Sequence, residues 1–132
     1  SCGCLHKLTG NKHKDWQGYE LISLDFFSII RRGAKERNLC FEITIEQIWD
    51  LYILQNKCCI LTELPLTFST TRKSWDGTAS LDRIDNNKGY TINNVRWIHK
   101  IVNIMRNNLS DETFIKYCQL VTKTYENRIK PN

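Results

Sequence analysis

Between residues 79 and 106, six polar side chains stand at spacings that suit phosphoryl chemistry: Asp82, Arg83, Tyr90, Asn94, His99 and Asn103. Carboxylate and amide oxygens are hard donors. The Asp82 and Asn103 side chains therefore suit Mg2+ or Mn2+, with water and a phosphate oxygen completing the shell. One such ion stabilises both the leaving oxygen and the charge of a phosphodiester transition state. Arg83 stays protonated, so it cannot accept a proton, but its fork of N–H groups matches two phosphate oxygens. Tyr90 and His99 are the two side chains able to move a proton. Each also has a plain structural alternative, Tyr90 stacking on a hairpin and His99 capping a helix. His99 precedes Asn103 by four residues, which on one helix would turn both the same way. It would then be a third ligand, a base or a phosphate donor.

These side chains need a scaffold, and the pattern supplies one. Thr78 to Ile84 has strand character, Asp85 to Gly89 is a turn by composition, and Tyr90 to Ile98 reads as a returning strand. Lys100 to Asn107 is helical. A helix crossing the hairpin would set the Asp82 carboxylate opposite the Asn103 amide.

The same stretch resembles the HNH, or ββα-metal, nuclease family, and within it a phage-type branch. The shared residues are Ser80, Asp82, Arg83, Ile84, Asp85, Gly89, Tyr90, Asn94, Asn103, Met105 and Arg106. Upstream, Cys59-Ile-Leu-Thr-Glu-Leu-Pro-Leu is similar to a segment that precedes the motif in that branch, with Glu63 where glycine is usual. The similarity covers roughly residues 25 to 120. It implies an α+β fold in which a two-stranded hairpin and a helix, the ββα-metal finger, sit among other helices. It also implies a metal-dependent DNA endonuclease, with Asp82 and Asn103 as metal ligands and Asn94 bracing the hairpin loop. The departure is Arg83, since the common pattern has a histidine base there. The base must then be Tyr90, His99 or water on the metal itself. A module that keeps the fold and binds DNA without cutting is the competing class.

The remaining chain is expected to hold DNA and build a core. Ser23 reads as an N-cap with Asp25 in the first turn of a helix carrying Phe26, Phe27, Ile29 and Ile30 on its buried face. That helix ends in Arg31, Arg32, Lys35 and Arg37, either a solvated basic end or a phosphate-contacting patch. Arg72 and Lys73, in a polar loop over 67–78, and Arg106 are further candidate DNA contacts. Leu39 to Ile43 reads as a short strand, and residues 58 to 66 read as a strand and turn. Thr44 and Gln47 form a capping box for a helix over Ile45 to Gln55. Ser110 caps a last helix with Phe114, Ile115, Cys118, Leu120 and Val121 as its apolar face.

The totals agree with one globular domain: 132 residues, 41% hydrophobic, net charge +5. The positive balance suits a polyanionic partner such as double-stranded DNA. No apolar run approaches a membrane span. Two parts are expected, a polar segment over 1–20 and a nuclease domain over 21–126 with the ββα core at 78–108. Cys2 and Cys4 are similar to the closing half of a small zinc ribbon, with His6 and His13 as the nearby completing candidates. The first cysteine pair would then lie ahead of residue 1, in a longer protein. A zinc-held interaction domain is the weaker third reading. The spacing of the six cysteines, without an apolar leader, predicts reduced thiols and a cytoplasmic location. A palindromic cutter would act as a homodimer.

Overall fold

A computed structural model of the chain describes residues 17–69 and 76–128. The fold is mixed α+β. A small antiparallel pair, β1 (Gly18–Tyr19) and β2 (Ile22–Ser23), leads into α1 (Leu24–Glu36), and α2 (Ile45–Leu54) follows. A second antiparallel hairpin pairs β3 (Ala79–Arg83) with β4 (Val95–His99), running into α3 (Lys100–Arg106) and then α4 (Asp111–Arg128). Among the described residues no helix is long and apolar enough to cross a membrane.

Local signals set the helix starts. Ser23 Oγ accepts the Phe26 N–H at the head of α1, and Asp25 sits in the first turn. Thr44 and Gln47 exchange both bonds of a capping box at the head of α2. At the head of α4, Ser110 Oγ accepts the Thr113 N–H. Each device satisfies backbone donors that the first helical turn leaves open.

The strands differ from their sequence pattern. The returning strand begins at Val95, not Tyr90, because a 3-10 turn occupies Ile92–Asn94 first. Tyr90 instead pairs alone with Phe41, through Glu42 N–H to Tyr90 O (2.8 Å) and Tyr90 N–H to Cys40 O (2.9 Å). Leu39 to Ile43 is thus a single bridge and not a strand. Residues 58–66 likewise hold one bridge, Cys58 with Pro65, around a tight turn. In that turn Glu63 takes φ 64, a left-handed backbone that favours glycine.

The core gathers on Trp97, which is fully buried. Its ring meets Phe26, Tyr52 and Phe68, and its indole N–H donates to Ile48 O at 2.8 Å. A two-stranded sheet leaves an open edge, and here the Gln55 side chain closes it. Gln55 Oε1 accepts the Trp97 N–H and Nε2 donates to Trp97 O, both at 2.9 Å. One amide side chain so replaces a strand neighbour and ties α2 to β4.

The last helix departs from expectation. None of its residues is buried. Phe114 and Cys118 are half-buried, while Ile115, Leu120 and Val121 are exposed. The helix is held at its first turn, and its apolar pattern then runs beside a groove lined by Leu61, Val102 and Met105 instead of entering the core.

Candidate active site

The hairpin register brings Asp82 opposite Arg96. Strand alternation sends Asp82 to the face over which α3 lies, and Asn103 comes from that helix. Asp82, Arg83, Tyr90, Asn103 and Arg37 line one open cleft of about 560 Å³. Four separate segments therefore supply it: β3, the lone bridge at Tyr90, α3 and the C-cap of α1.

Asn94 holds the turn that shapes this cleft. Its Oδ1 accepts the Asp85 N–H (2.9 Å), and its Nδ2 donates to Asp85 O (3.1 Å) and Gly89 O (2.9 Å). At Gly89 an added Cβ would lie 2.6 Å from Cys40 O, so the close approach of the two backbones needs glycine. Arg83 secures the same turn from its other side. Its Nη1 donates to Asn86 O (2.7 Å) and Lys88 O (2.9 Å), and its guanidinium lies 5.6 Å from the centre of the Tyr90 ring. Among the described residues, Nε and Nη2 of Arg83 have no hydrogen-bond partner. Tyr90 is buried, and its hydroxyl accepts a bond from Arg37 Nη2 at 3.3 Å.

The Asp82 carboxylate is the most heavily engaged group. Arg96 Nε donates to Oδ2 at 2.9 Å, and Arg106 Nη2 donates to both oxygens at 3.0 Å. Arg106 is fully buried and also reaches Arg83 O and Leu109 O. Its Nε is the one buried side-chain polar atom without a partner among the described residues, 3.7 Å from Asp111 Oδ1. Arg96 turns its two terminal nitrogens on Asp111, each bond 2.7 Å. These bonds from Arg96 hold the Asp111 carboxyl below the usual carboxylate range, and the Arg96 guanidinium is in turn pushed above its ordinary value, first by Asp111 and then by Asp82. Arg106 was expected at a DNA phosphate. Its burial against Asp82 leaves no face of the guanidinium to offer one.

His99 follows the structural one of its two readings, the helix cap. It is the N-cap of α3 in extended backbone, with Nδ1 accepting the Ile101 N–H at 3.1 Å. Helical i, i+4 logic does not apply from a cap, so His99 and Asn103 share no face. His99 pairs with Ala79, at the far end of the ladder from Arg83, and does not line the cleft. Arg31, Arg32 and Lys35 are exposed along α1, Arg31 lying over the Phe27 ring at 5.6 Å. Arg72, Lys73, Cys2 and Cys4 lie outside the described residues, as do His6 and His13.

The donors fit a hard divalent ion sparingly. Among the described residues no three His, Cys, Asp or Glu side chains converge into a cage. A carboxylate offers about four lone-pair directions. Three are taken by the two arginines, which among the described residues leaves one on Oδ1. Asn103 Nδ2 donates to Ser80 Oγ at 2.7 Å, which fixes the amide and leaves its oxygen free for a cation. One carboxylate and one amide oxygen suit Mg2+, which retains most of its water.

Arg96 and Asp111 were not anticipated as site residues. The signal for Arg96 was present: a charge inside Val95-Arg96-Trp97-Ile98 needs a buried partner. No family model matches the chain, and neither a curated protein nor a solved structure does.

The Asp111 ion pair makes a pH prediction. Its carboxyl has a depressed pKa in the fold, so its contribution is fully present above the ordinary value of 3.8 and is lost as pH falls through the lower folded value. The Asp111 side chain is about a third exposed (35%), which screens the pair. Asp111→Asn should cost about 1–2 kcal/mol at neutral pH. In thermal melts the gap from wild type should hold from pH 7 to about 5 and then close toward pH 3.

Proposed function

We propose that β3, β4 and α3 form a ββα-metal finger and that the chain is a metal-dependent DNA endonuclease of HNH type. One observation carries this reading: Asp82, Asn103, Tyr90 and Arg83, picked out by spacing in the sequence, line a single cleft. Two others support it. The Asn94 side chain braces the loop between the motif's halves, and Glu63 adopts left-handed backbone where the resembling family has glycine.

Asp82 Oδ1 and the Asn103 amide oxygen would hold a single Mg2+ or Mn2+. When bound, the ion supplies Lewis-acid stabilisation of phosphate charge and an acidified water. Arg83 has its Nη1 anchored by two turn carbonyls, and its Nε and Nη2 are left to grip a nonbridging phosphate oxygen. The anchoring fixes the guanidinium before substrate arrives, so little side-chain entropy is lost on binding. Tyr90 holds its hydroxyl against Arg37, which orients the phenol toward the cleft. With His99 capping a helix elsewhere, Tyr90 is the one cleft side chain of the original pair able to position or deprotonate water. Arg31, Arg32, Lys35 and Arg37 give α1 a basic edge for the flanking DNA backbone.

A second reading keeps the finger as a DNA-binding module that does not cut. It is favoured by the two guanidinium groups on Asp82, which oppose a dication there. Supercoiled plasmid separates the two. The endonuclease reading expects relaxed circles that depend on Mg2+ or Mn2+ and vanish with chelator. Arg83→Lys should slow nicking about 10²-fold, because an ammonium cannot keep both the turn bonds and a phosphate contact. Binding that ignores metal, without nicking, would select the module.

A further inference from the structure

Four charged side chains meet beneath the cleft: Asp82 from β3, Arg96 from β4, Arg106 from the end of α3 and Asp111 from the first turn of α4. Two cations and two anions leave the cluster formally neutral. Without Asp111, the Asp82 carboxylate would face two guanidinium charges with no second anion to offset them. We propose that Asp111 is a positioning residue that acts through Arg96 to set how strongly Asp82 holds a divalent cation, an inference that rests on the metal-site reading above.

The geometry of Arg96 carries the inference. A guanidinium can grip a carboxylate with its two terminal nitrogens or along one side. Arg96 gives both terminal nitrogens to Asp111, each at 2.7 Å, and turns only Nε to Asp82, at 2.9 Å. The shorter, paired bonds draw the cation toward Asp111. Asp82, which lines the cleft with Asn103, keeps one lone-pair direction on Oδ1 that no group among the described residues occupies. Both arginines are almost wholly buried, their side chains 10% and 0% exposed, so solvent does little to screen them from Asp82. Asp111 therefore acts on the cleft although it touches nothing in it. Its place at the head of α4 also gives that helix, otherwise unburied, a link to the site.

Removing either partner of the Arg96–Asp111 pair breaks the same bonds but changes the local charge in opposite directions. The full chain is titrated with MnCl2 by isothermal calorimetry in the absence of DNA. Asp111→Asn removes an anion and should raise the Mn2+ Kd about tenfold, while Asp111→Glu keeps the charge and should stay within about threefold of wild type. Arg96→Gln removes a cation and should lower the Kd about tenfold. The double variant Asp111→Asn/Arg96→Gln restores neutrality and should return close to wild type. A purely structural pair would shift the Kd in the same direction in both single variants, and that result overturns the proposal. If Asp111→Asn does not fold, Asp111→Ser removes the same anion and takes its place: weaker binding beside tighter binding in Arg96→Gln supports the proposal, and any other outcome overturns it. Wild type that takes up no Mn2+ removes the metal site itself. Wild-type binding with same-sign shifts removes only the role given to Asp111.

Discussion

Arg106→Leu should cost the folded state about 3–5 kcal/mol, the usual range for removing one partner of a buried ion pair. The leucine would abandon both Asp82 oxygens, Arg83 O and Leu109 O at once. Arg96 alone would then face Asp82, and two of its three side-chain bonds go to Asp111. Two backbone carbonyls near the ends of β3 and α3 would also lose their partner, at about 1–3 kcal/mol each where they stay dry. Urea denaturation followed by tryptophan fluorescence measures the loss, since Trp97 sits in the core. A surface phosphate contact predicts the opposite pattern. Stability would hold, and the salt dependence of DNA binding would fall by about one charge. Arg106 at full burial commits the structure to the first outcome. Arg106→Lys should recover little, because one ammonium cannot span three acceptors in three directions.

The contrast between Arg106 and Ser23 shows what a sequence can reveal here. Ser23, Thr44 with Gln47, and Ser110 act on backbone groups within three residues, so their roles follow from local spacing and are found in place. Asp82 and Asn103 are legible as a pair because a hairpin followed by a helix sets their side chains on facing elements, whereas Tyr90 reaches the cleft from a lone bridge to Phe41 that strand periodicity does not reveal. The long-range choices were not legible. An arginine in the last turn of a helix reads as a solvated cation, and nothing local says that Arg106 turns inward to Asp82. Asp111 in a first helical turn reads as a complement to the helix dipole, which conceals its pairing with Arg96. His99 depended on where α3 begins. A shift of one residue from helix interior to cap removes its shared face with Asn103 and takes it out of the cleft. The apolar pattern of α4 records the helix period correctly, but period alone does not say whether a core reaches the face it marks.

On the proposed endonuclease reading, Asp82→Asn and Asn103→Ala should each slow metal-dependent nicking by about 10²–10³-fold, and their stabilities should separate. Asp82→Asn leaves two guanidinium groups against a neutral amide. It should lose about 3–5 kcal/mol of folding free energy together with activity. Asn103 takes no part in the ion cluster, and among the described residues its amide makes one side-chain bond, to Ser80 Oγ. Asn103→Ala should therefore cost only about 1 kcal/mol, while removing the second oxygen ligand. The pair distinguishes a metal site from a structural anchor. If Asp82 served only to neutralise Arg96 and Arg106, nicking would follow the folded fraction. The Asn103 variant, fully folded, would then cut like wild type. If both side chains hold the ion, the Asn103 variant stays folded and nearly inactive. Its residual rate should rise with Mn2+ concentration into the millimolar range, because a ligand lost from a sparse shell weakens affinity before it abolishes binding. Nicking rates at matched folded fraction, together with urea midpoints for both variants, decide between them. The expected dissociation of stability from rate at Asn103 makes it the more informative of the two substitutions, although Asp82 is the residue on which the larger number of bonds converge.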